Sequence, residues 1–175
     1  MANKIITLSG RQFCGKDTVT GILLENLPGF RRVALADAIK IEYSRRTGLS
    51  REEIEKNKSI YREDLINLGN EGRAKSSDFW LKKVLEEDGN IIVSDVRLPF
   101  ELETFRQRGA FCIRVEANAD IRASRAPLSR ENDYTETALD NVENWDYVIK
   151  NEGSREDLVN NCKDLVEKIR KTLLN

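Results

Sequence analysis

The stretch Ile5-Ile6-Thr7-Leu8-Ser9-Gly10-Arg11-Gln12-Phe13-Cys14-Gly15-Lys16-Asp17-Thr18 decides the fold. Its first part is a short apolar run that reads as a buried strand. Gly10 and Gly15 then bracket four residues and Lys16 follows at once, the spacing of a loop whose backbone N–H groups converge on phosphate oxygens. Amphipathic helical spacing begins at Lys16, so a helix N-terminus adds positive potential at the same point. The expectation is nucleotide binding, with Gly10, Arg11, Gln12, Phe13, Cys14, Gly15, Lys16, Asp17 and Thr18 as donor-nucleotide contacts. One position departs from the common pattern: Asp17 stands where a Ser or Thr hydroxyl usually meets Mg2+, and Thr18 comes one place later. Asp17 is open to three readings: helix cap, metal ligand, or a group that orients a metal-bound water or an acceptor.

Outward from this loop, composition narrows the chemistry. A chain of 175 residues fits one domain. Its 29 Lys plus Arg against 30 Asp plus Glu supply no global field that would recruit nucleic acid or a membrane. The three cysteines, Cys14, Cys112 and Cys162, are far apart and lack C-x-x-C spacing, which argues against a disulfide framework or a zinc site. The expectation is a soluble, cytoplasmic protein without a targeting segment. There is no histidine, so Ser-His and Cys-His catalysis are excluded. Carboxylates, cations and metal-bound phosphate remain.

Apolar β-like runs recur at Ile5 to Leu8, Val33 to Leu35, Ile91 to Val93, Phe111 to Val115 and Tyr147 to Ile149. Helical patterns over 16–27, 37–47, 51–57, 60–74, 77–87, 99–108, 119–125 and 155–173 separate them. Strands alternating with helices predict an α/β fold with a five-stranded parallel sheet covered on both faces. In the last helix Leu158, Cys162, Leu165, Val166, Ile169 and Leu173 form a core stripe. The weakly periodic stretch 117–134 reads either as a solvated loop or as a lid.

Local clusters supply the remaining candidates. Ile91-Ile92-Val93-Ser94-Asp95 delivers a carboxylate at a strand's C-terminal end, the edge where α/β sheets bind ligands, so Asp95 joins Asp17 and Thr18 as a candidate magnesium ligand. Arg97 leaves the same strand end and suits a bidentate phosphate contact. Lys58, Arg62 and Arg73 lie on or before one predicted helix, where they either meet an anionic acceptor or form a mixed surface. Asp37 and Lys40 follow the second strand, where Asp37 either caps a helix beginning near Ala38 or faces the acceptor. Arg122, Arg125 and Arg130 crowd the stretch 117–134, and a lid carrying arginines neutralises charge on a transferring phosphoryl group.

Several elements occur together in order: the Gly-Lys-Asp-Thr ending of the loop, Ala34-Leu35-Ala36-Asp37-Ala38-Ile39-Lys40, Tyr61 to Trp80, Ser94-Asp95-Val96-Arg97, Thr135-Glu136-Thr137-Ala138-Leu139-Asp140, and Val148-Ile149-Lys150-Asn151-Glu152-Gly153. In this order the chain resembles the branch of P-loop kinases that holds the deoxynucleoside monophosphate kinases and the animal-type phosphomevalonate kinases. The resemblance implies a three-layer nucleoside monophosphate kinase fold in a single domain over 1–175, with an acceptor-binding helical region near 37–87 and a lid near 117–134. It implies ATP and Mg2+, a small phosphorylated acceptor, and no nucleic acid or membrane partner. Lys16, Asp17, Arg122 and Arg125 would be catalytic, and Asn151 would lie near the adenine. Asp37, Lys40, Lys58, Arg62, Arg73 and Arg97 would face the acceptor. Gln12, Phe13 and Cys14 stand where phosphomevalonate kinases carry basic residues, and Leu98 where they carry a second arginine. Asp95 to Pro99 looks more like the nucleotide kinases, although Asp133-Tyr134-Thr135-Glu136 departs from their His-x-Ser-Glu element. The acceptor implied is a (deoxy)nucleoside monophosphate, with phosphomevalonate as the alternative and a non-catalytic nucleotide-binding module as a third.

Overall fold

The computed structural model describes residues 3–57, 60–129 and 131–174. The chain divides into two compact units, Met1–Arg32 with Asp88–Asn175, and Val33–Glu87.

The first unit is built around a five-stranded parallel sheet. Its strands are β1 (Ile5–Ser9), β2 (Phe30–Val33), β3 (Asn90–Val93), β4 (Phe111–Glu116) and β5 (Tyr147–Lys150). Their spatial order is β2-β3-β1-β4-β5. β1 lies between β3 and β4, with Thr7 opposite Val93 on one side and Cys112 on the other. β5 then adds parallel to β4, Ile113 opposite Tyr147. The order of connections reverses at β1, and in open α/β sheets ligands bind outside the strand ends at such a point. Gly10 to Gly15 follow β1 directly.

Helices α1 (Lys16–Asn26) and α9 (Arg155–Ile169) pack on one another, and their apolar faces share one core with β1, β4 and β5. Val19, Leu23 and Leu27 meet Leu158, Cys162, Leu165, Val166 and Ile169, each buried. The stripe expected in the last helix is therefore core, and a closing π-helical turn, Arg170–Leu174, carries its last member, Leu173. Ser154 starts α9 by accepting the Asp157 amide while the Asp157 carboxylate accepts the Ser154 amide, a reciprocal cap that satisfies two otherwise orphaned donors. α6 (Pro99–Gln107), α7 (Ala119–Arg125) and α8 (Tyr134–Thr137) complete this unit.

The second unit is helical: α2 (Leu35–Thr47), α3 (Arg51–Lys56), α4 (Arg62–Lys75) and α5 (Phe79–Leu85). Ala38, Tyr43, Ile54, Leu68 and Trp80 form its core. Trp80 fixes the approach of α5 to α4. Its indole N–H donates to the Gly69 carbonyl at 2.9 Å, and its ring lies where any Cβ on Gly72 would have to go.

Two expectations are corrected. The second strand is Phe30–Val33 and not Val33 to Leu35. Phe30 and Val33 are buried while Arg31 and Arg32 between them are exposed, so the run does not read as apolar. α2 consequently starts at Leu35, with Ala34 as its N-cap and no side-chain cap. Asp37 sits inside the first turn, which removes the reading of Asp37 as cap of a helix starting near Ala38. Within 117–134, α7 occupies Ala119–Arg125, the helix expected there, and the short α8 that begins at Tyr134 is an addition to the predicted helices.

Candidate active site

The loop between β1 and α1 is wound by three left-handed residues, Gly10 (φ +153°), Phe13 (φ +58°) and Gly15 (φ +106°). Only glycine fits at the ends. A Cβ on Gly10 would come within 2.6 Å of Cys14 Sγ and closer still to the Val115 carbonyl oxygen, and one on Gly15 would overlap the Asn151 amide. Phe13 holds a conformation that costs a non-glycine residue of order 1 kcal/mol, and its carbonyl accepts from Arg125 Nη1 at 2.9 Å. Its ring is exposed.

Lys16 folds back into this loop and donates to the carbonyls of Gly10 (2.6 Å) and Arg11 (2.9 Å). Burial lowers its pKa. Gly15 caps α1 without any side-chain acceptor for the first helical amides, which leaves those donors directed at an incoming anion. Asp17 and Thr18 are exposed on this first turn. Beside it lies a cleft of about 660 Å³ whose walls include Gly15, Asp17, Thr18, Arg125, Asn151 and Arg155. Asn151 is buried and ties β5 to the loop, its amide donating to the Cys14 carbonyl at 2.9 Å. Arg125 joins the two by donating to the Asn151 carbonyl at 2.8 Å. These donors and this volume fit a nucleoside triphosphate, and the side-chain oxygens of Asp17, Thr18 and the half-buried Asp95 are of the hard type that Mg2+ takes.

Carboxylates from 131–140 hold the same loop, and the sequence reading assigned none of them a role. Asp140 bridges Arg11 (2.5 Å) and the buried Arg114 (2.6 Å), which also donates to Ser9 Oγ. Burial pushes Asp140 up, yet the two guanidinium groups outweigh it and hold the carboxyl below its ordinary range. Glu131 takes both arms of Arg122, at 2.5 and 3.0 Å, and that arginine holds its pKa down. Arg122 is buried and paired inside the 117–134 segment, with a long 3.5 Å bond to the Gln12 carbonyl, whereas Arg125 bonds the Phe13 carbonyl at 2.9 Å. Glu136 accepts the Gln12 amide at 2.7 Å and pairs with Arg97. The backbone of Arg97 is fixed as well, because Glu101 accepts the amides of Arg97 (2.9 Å) and Leu98 (3.0 Å). Burial raises the Glu101 pKa. Pro99 at the helix start with a glutamate two places on is the one sequence signal that pointed to this turn.

The remaining candidates lie in the helical unit. Lys40 bonds Glu55 at 2.5 Å and stands 3.7 Å from Asp37. Arg62 and Arg73 are exposed on α4, and with Lys40 they line a groove of about 250 Å³ floored by Ala36, Ile39, Leu65 and Ile66. Lys58 and Arg130 lie outside the described residues.

A glycine-bracketed phosphate loop at the reversal point of a parallel sheet ordered β2-β3-β1-β4-β5 defines a P-loop kinase. Solved structures share this fold across nearly the whole chain. Shikimate kinase from Aquifex aeolicus superposes with a TM-score of 0.54 at 20% identity, covering 98% of this chain and 99% of its own. A gluconokinase from Sinorhizobium meliloti gives 0.57 at 12% identity, covering 99% and 96%. The chain belongs to the phosphomevalonate kinase and deoxynucleotide monophosphate kinase families, whose models match residues 8–111 and 73–162, each more than half of its length. Phosphomevalonate kinase of Drosophila melanogaster is 28% identical over 137 residues, 70% of this chain and 72% of that protein. It is accordingly an ATP-dependent phosphotransferase whose acceptor already bears a phosphate. No described helix is long and apolar enough to cross a membrane.

Proposed function

We propose that this protein transfers the γ-phosphoryl group of ATP to the phosphate of a small ester with an aliphatic body, phosphomevalonate being the first candidate. The observation that carries this reading is the groove of the helical unit. Its floor is aliphatic, its rim carries Lys40, Arg62 and Arg73, and among the described residues no aromatic ring or side-chain amide lines it. Three cations suit an anionic chain, whereas a nucleobase is ordinarily read by stacking and by hydrogen bonds to its edge. The phosphomevalonate kinase match spans all of Val33–Glu87, while the deoxynucleotide kinase match starts only at Arg73. This reverses the preference drawn from Gln12, Phe13 and Leu98.

On this reading the loop amides and Lys16 hold the β- and γ-phosphates, and the cleft beside Asn151 and Arg125 takes the nucleoside. Asp17, Thr18 and Asp95 would hold Mg2+, which lowers the charge on the transferring group when bound. An oxygen of the acceptor phosphate attacks the γ-phosphorus. The new P–O bond forms as the bond to the bridging oxygen breaks, and ADP leaves with that electron pair. Arg97 and Arg125 offset the charge on the equatorial oxygens. An acceptor phosphate is already anionic at neutral pH and requires no base, in keeping with a chain without histidine. The segment 117–134 acts as the lid, and the whole chain as one catalytic domain.

A second reading, a deoxynucleoside monophosphate acceptor, is favoured by the match over 73–162, which takes in Arg97 and the lid. An ADP-release assay with ATP, Mg2+ and a panel of phosphomevalonate, deoxynucleoside monophosphates and ribonucleoside monophosphates separates the two. Turnover is expected with phosphomevalonate. Turnover with a nucleotide alone transfers the proposal to the second reading, and acceptor-independent ADP release sinks both.

A further inference from the structure

We infer that Glu136 is a positioning residue for phosphoryl transfer, fixing Arg97 against the phosphate loop. The inference rests on the proposal that Arg97 meets a phosphate.

One carboxylate here makes two different bonds. It accepts the backbone amide of Gln12, inside the loop, at 2.7 Å, and it pairs with the guanidinium of Arg97, beyond the end of β3. Its side chain is 10% exposed, and that of Arg97 35%, so the bond sits at the edge of the solvent and not on the open surface. Both charges are felt at Lys16, Glu136 raising and Arg97 lowering the ammonium pKa, which puts the pair within electrostatic reach of the residue that takes the outer phosphates. Without Glu136 the arginine would hang on a long flexible stem with only its backbone held, by Glu101. Ordering such a side chain costs conformational entropy. A preformed bond meets that cost before the substrates arrive.

Glu136 touches neither reacting atom on this account. It sets where the guanidinium stands and at what angle to the Gln12 amide. Glu136→Gln is the informative change, because the amide keeps the shape and still accepts from Gln12 while losing the ion pair with Arg97.

The test is steady-state kinetics with ATP, Mg2+ and phosphomevalonate, using a deoxynucleoside monophosphate instead if that is what the enzyme turns over. ATP affinity is measured separately by calorimetry. Glu136→Gln is expected to lower kcat about 10- to 100-fold, the range that a displacement near 1 Å produces, with ATP affinity changed less than threefold. In an Arg97→Ala background the same substitution should change kcat less than threefold, because the residue it positions is gone. Glu136→Asp, which reaches one partner but not both, should restore little. The inference is overturned if Glu136→Gln leaves kcat within threefold of wild type, if its loss is equally large without Arg97, or if ATP binding and melting temperature fall together with kcat. Arg97→Ala without kinetic effect would overturn the phosphate role of Arg97 itself. A loss in Arg97→Ala with none in Glu136→Gln overturns only the positioning.

Discussion

Replacing Gly10 by alanine should disable the loop while leaving most of the protein folded. The added methyl would stand 2.6 Å from Cys14 Sγ and nearer still to the Val115 carbonyl, when carbon contacts are comfortable only at about 3.5 Å and beyond. Something must retreat by about 1 Å. The Val115 oxygen belongs to β4, which is paired with β1 on one side and β5 on the other, so the loop moves instead. The backbone at φ +153° adds about 1–3 kcal/mol of strain, and overpacking a further 1–3 kcal/mol or so. For a chain of this size a total of about 2–6 kcal/mol lowers the melting temperature by about 4–24 °C. A loop displaced by 1 Å should also cost roughly 100-fold in kcat. Gly29→Ala is the comparison: it also has a positive φ (+89°) but open space around the new methyl, so it should lose about 1 kcal/mol and no activity. Calorimetry and ADP release report both quantities. A Gly10→Ala protein that melts within about 2 °C of wild type and turns over normally would refute the geometry of the loop.

Three further outcomes follow from the site. Lys16→Met should reduce kcat by about 100- to 1,000-fold yet stabilise the ligand-free protein. Burial lowers the Lys16 pKa from its ordinary 10.5, so the unfolded chain binds more protons just below that pH and wild-type stability rises with pH there; melting curves of the variant should lack this slope. Arg122→Met should loosen α7, read as faster amide exchange there. The pairing that depresses Glu131 contributes above that residue's ordinary pKa and is lost as pH falls through the depressed value, so Glu131→Gln should flatten the acid limb of the stability curve; an unchanged limb contradicts the pairing. Arg62→Ala and Arg73→Ala should each raise the acceptor KM about tenfold, the value of one charge-assisted bond, with the KM for ATP unmoved. A rise in the ATP value instead would place the groove on the donor side.

The elements that the sequence announced are those whose burial is local and continuous. β3 and β4 are buried apolar runs, and the α9 stripe from Leu158 to Ile169 repeats at helical spacing and is buried. β2 was misplaced because Arg31 and Arg32 are exposed between the buried Phe30 and Val33, so the strand does not read as an apolar run. The phosphate loop was legible because its glycines stand at a fixed spacing within six residues, although the nearest groups that exclude a side chain there, Val115 and Asn151, are distant in sequence. Glu131, Glu136 and Asp140 were not legible. They act on Arg122, Gln12, Arg97 and Arg11, most of them distant in sequence, and in a chain with 34% charged residues a carboxylate carries no signal until the fold gives it a partner.

The most direct test of the central claim follows phosphorus. With ATP, Mg2+ and phosphomevalonate, 31P NMR should show the acceptor's monoester resonance replaced by a pair of coupled diphosphate signals, one equivalent for each ADP formed. ADP appearing with inorganic phosphate while the acceptor resonance persists, across the nucleotide acceptors as well, would contradict phosphoryl transfer to a phosphate.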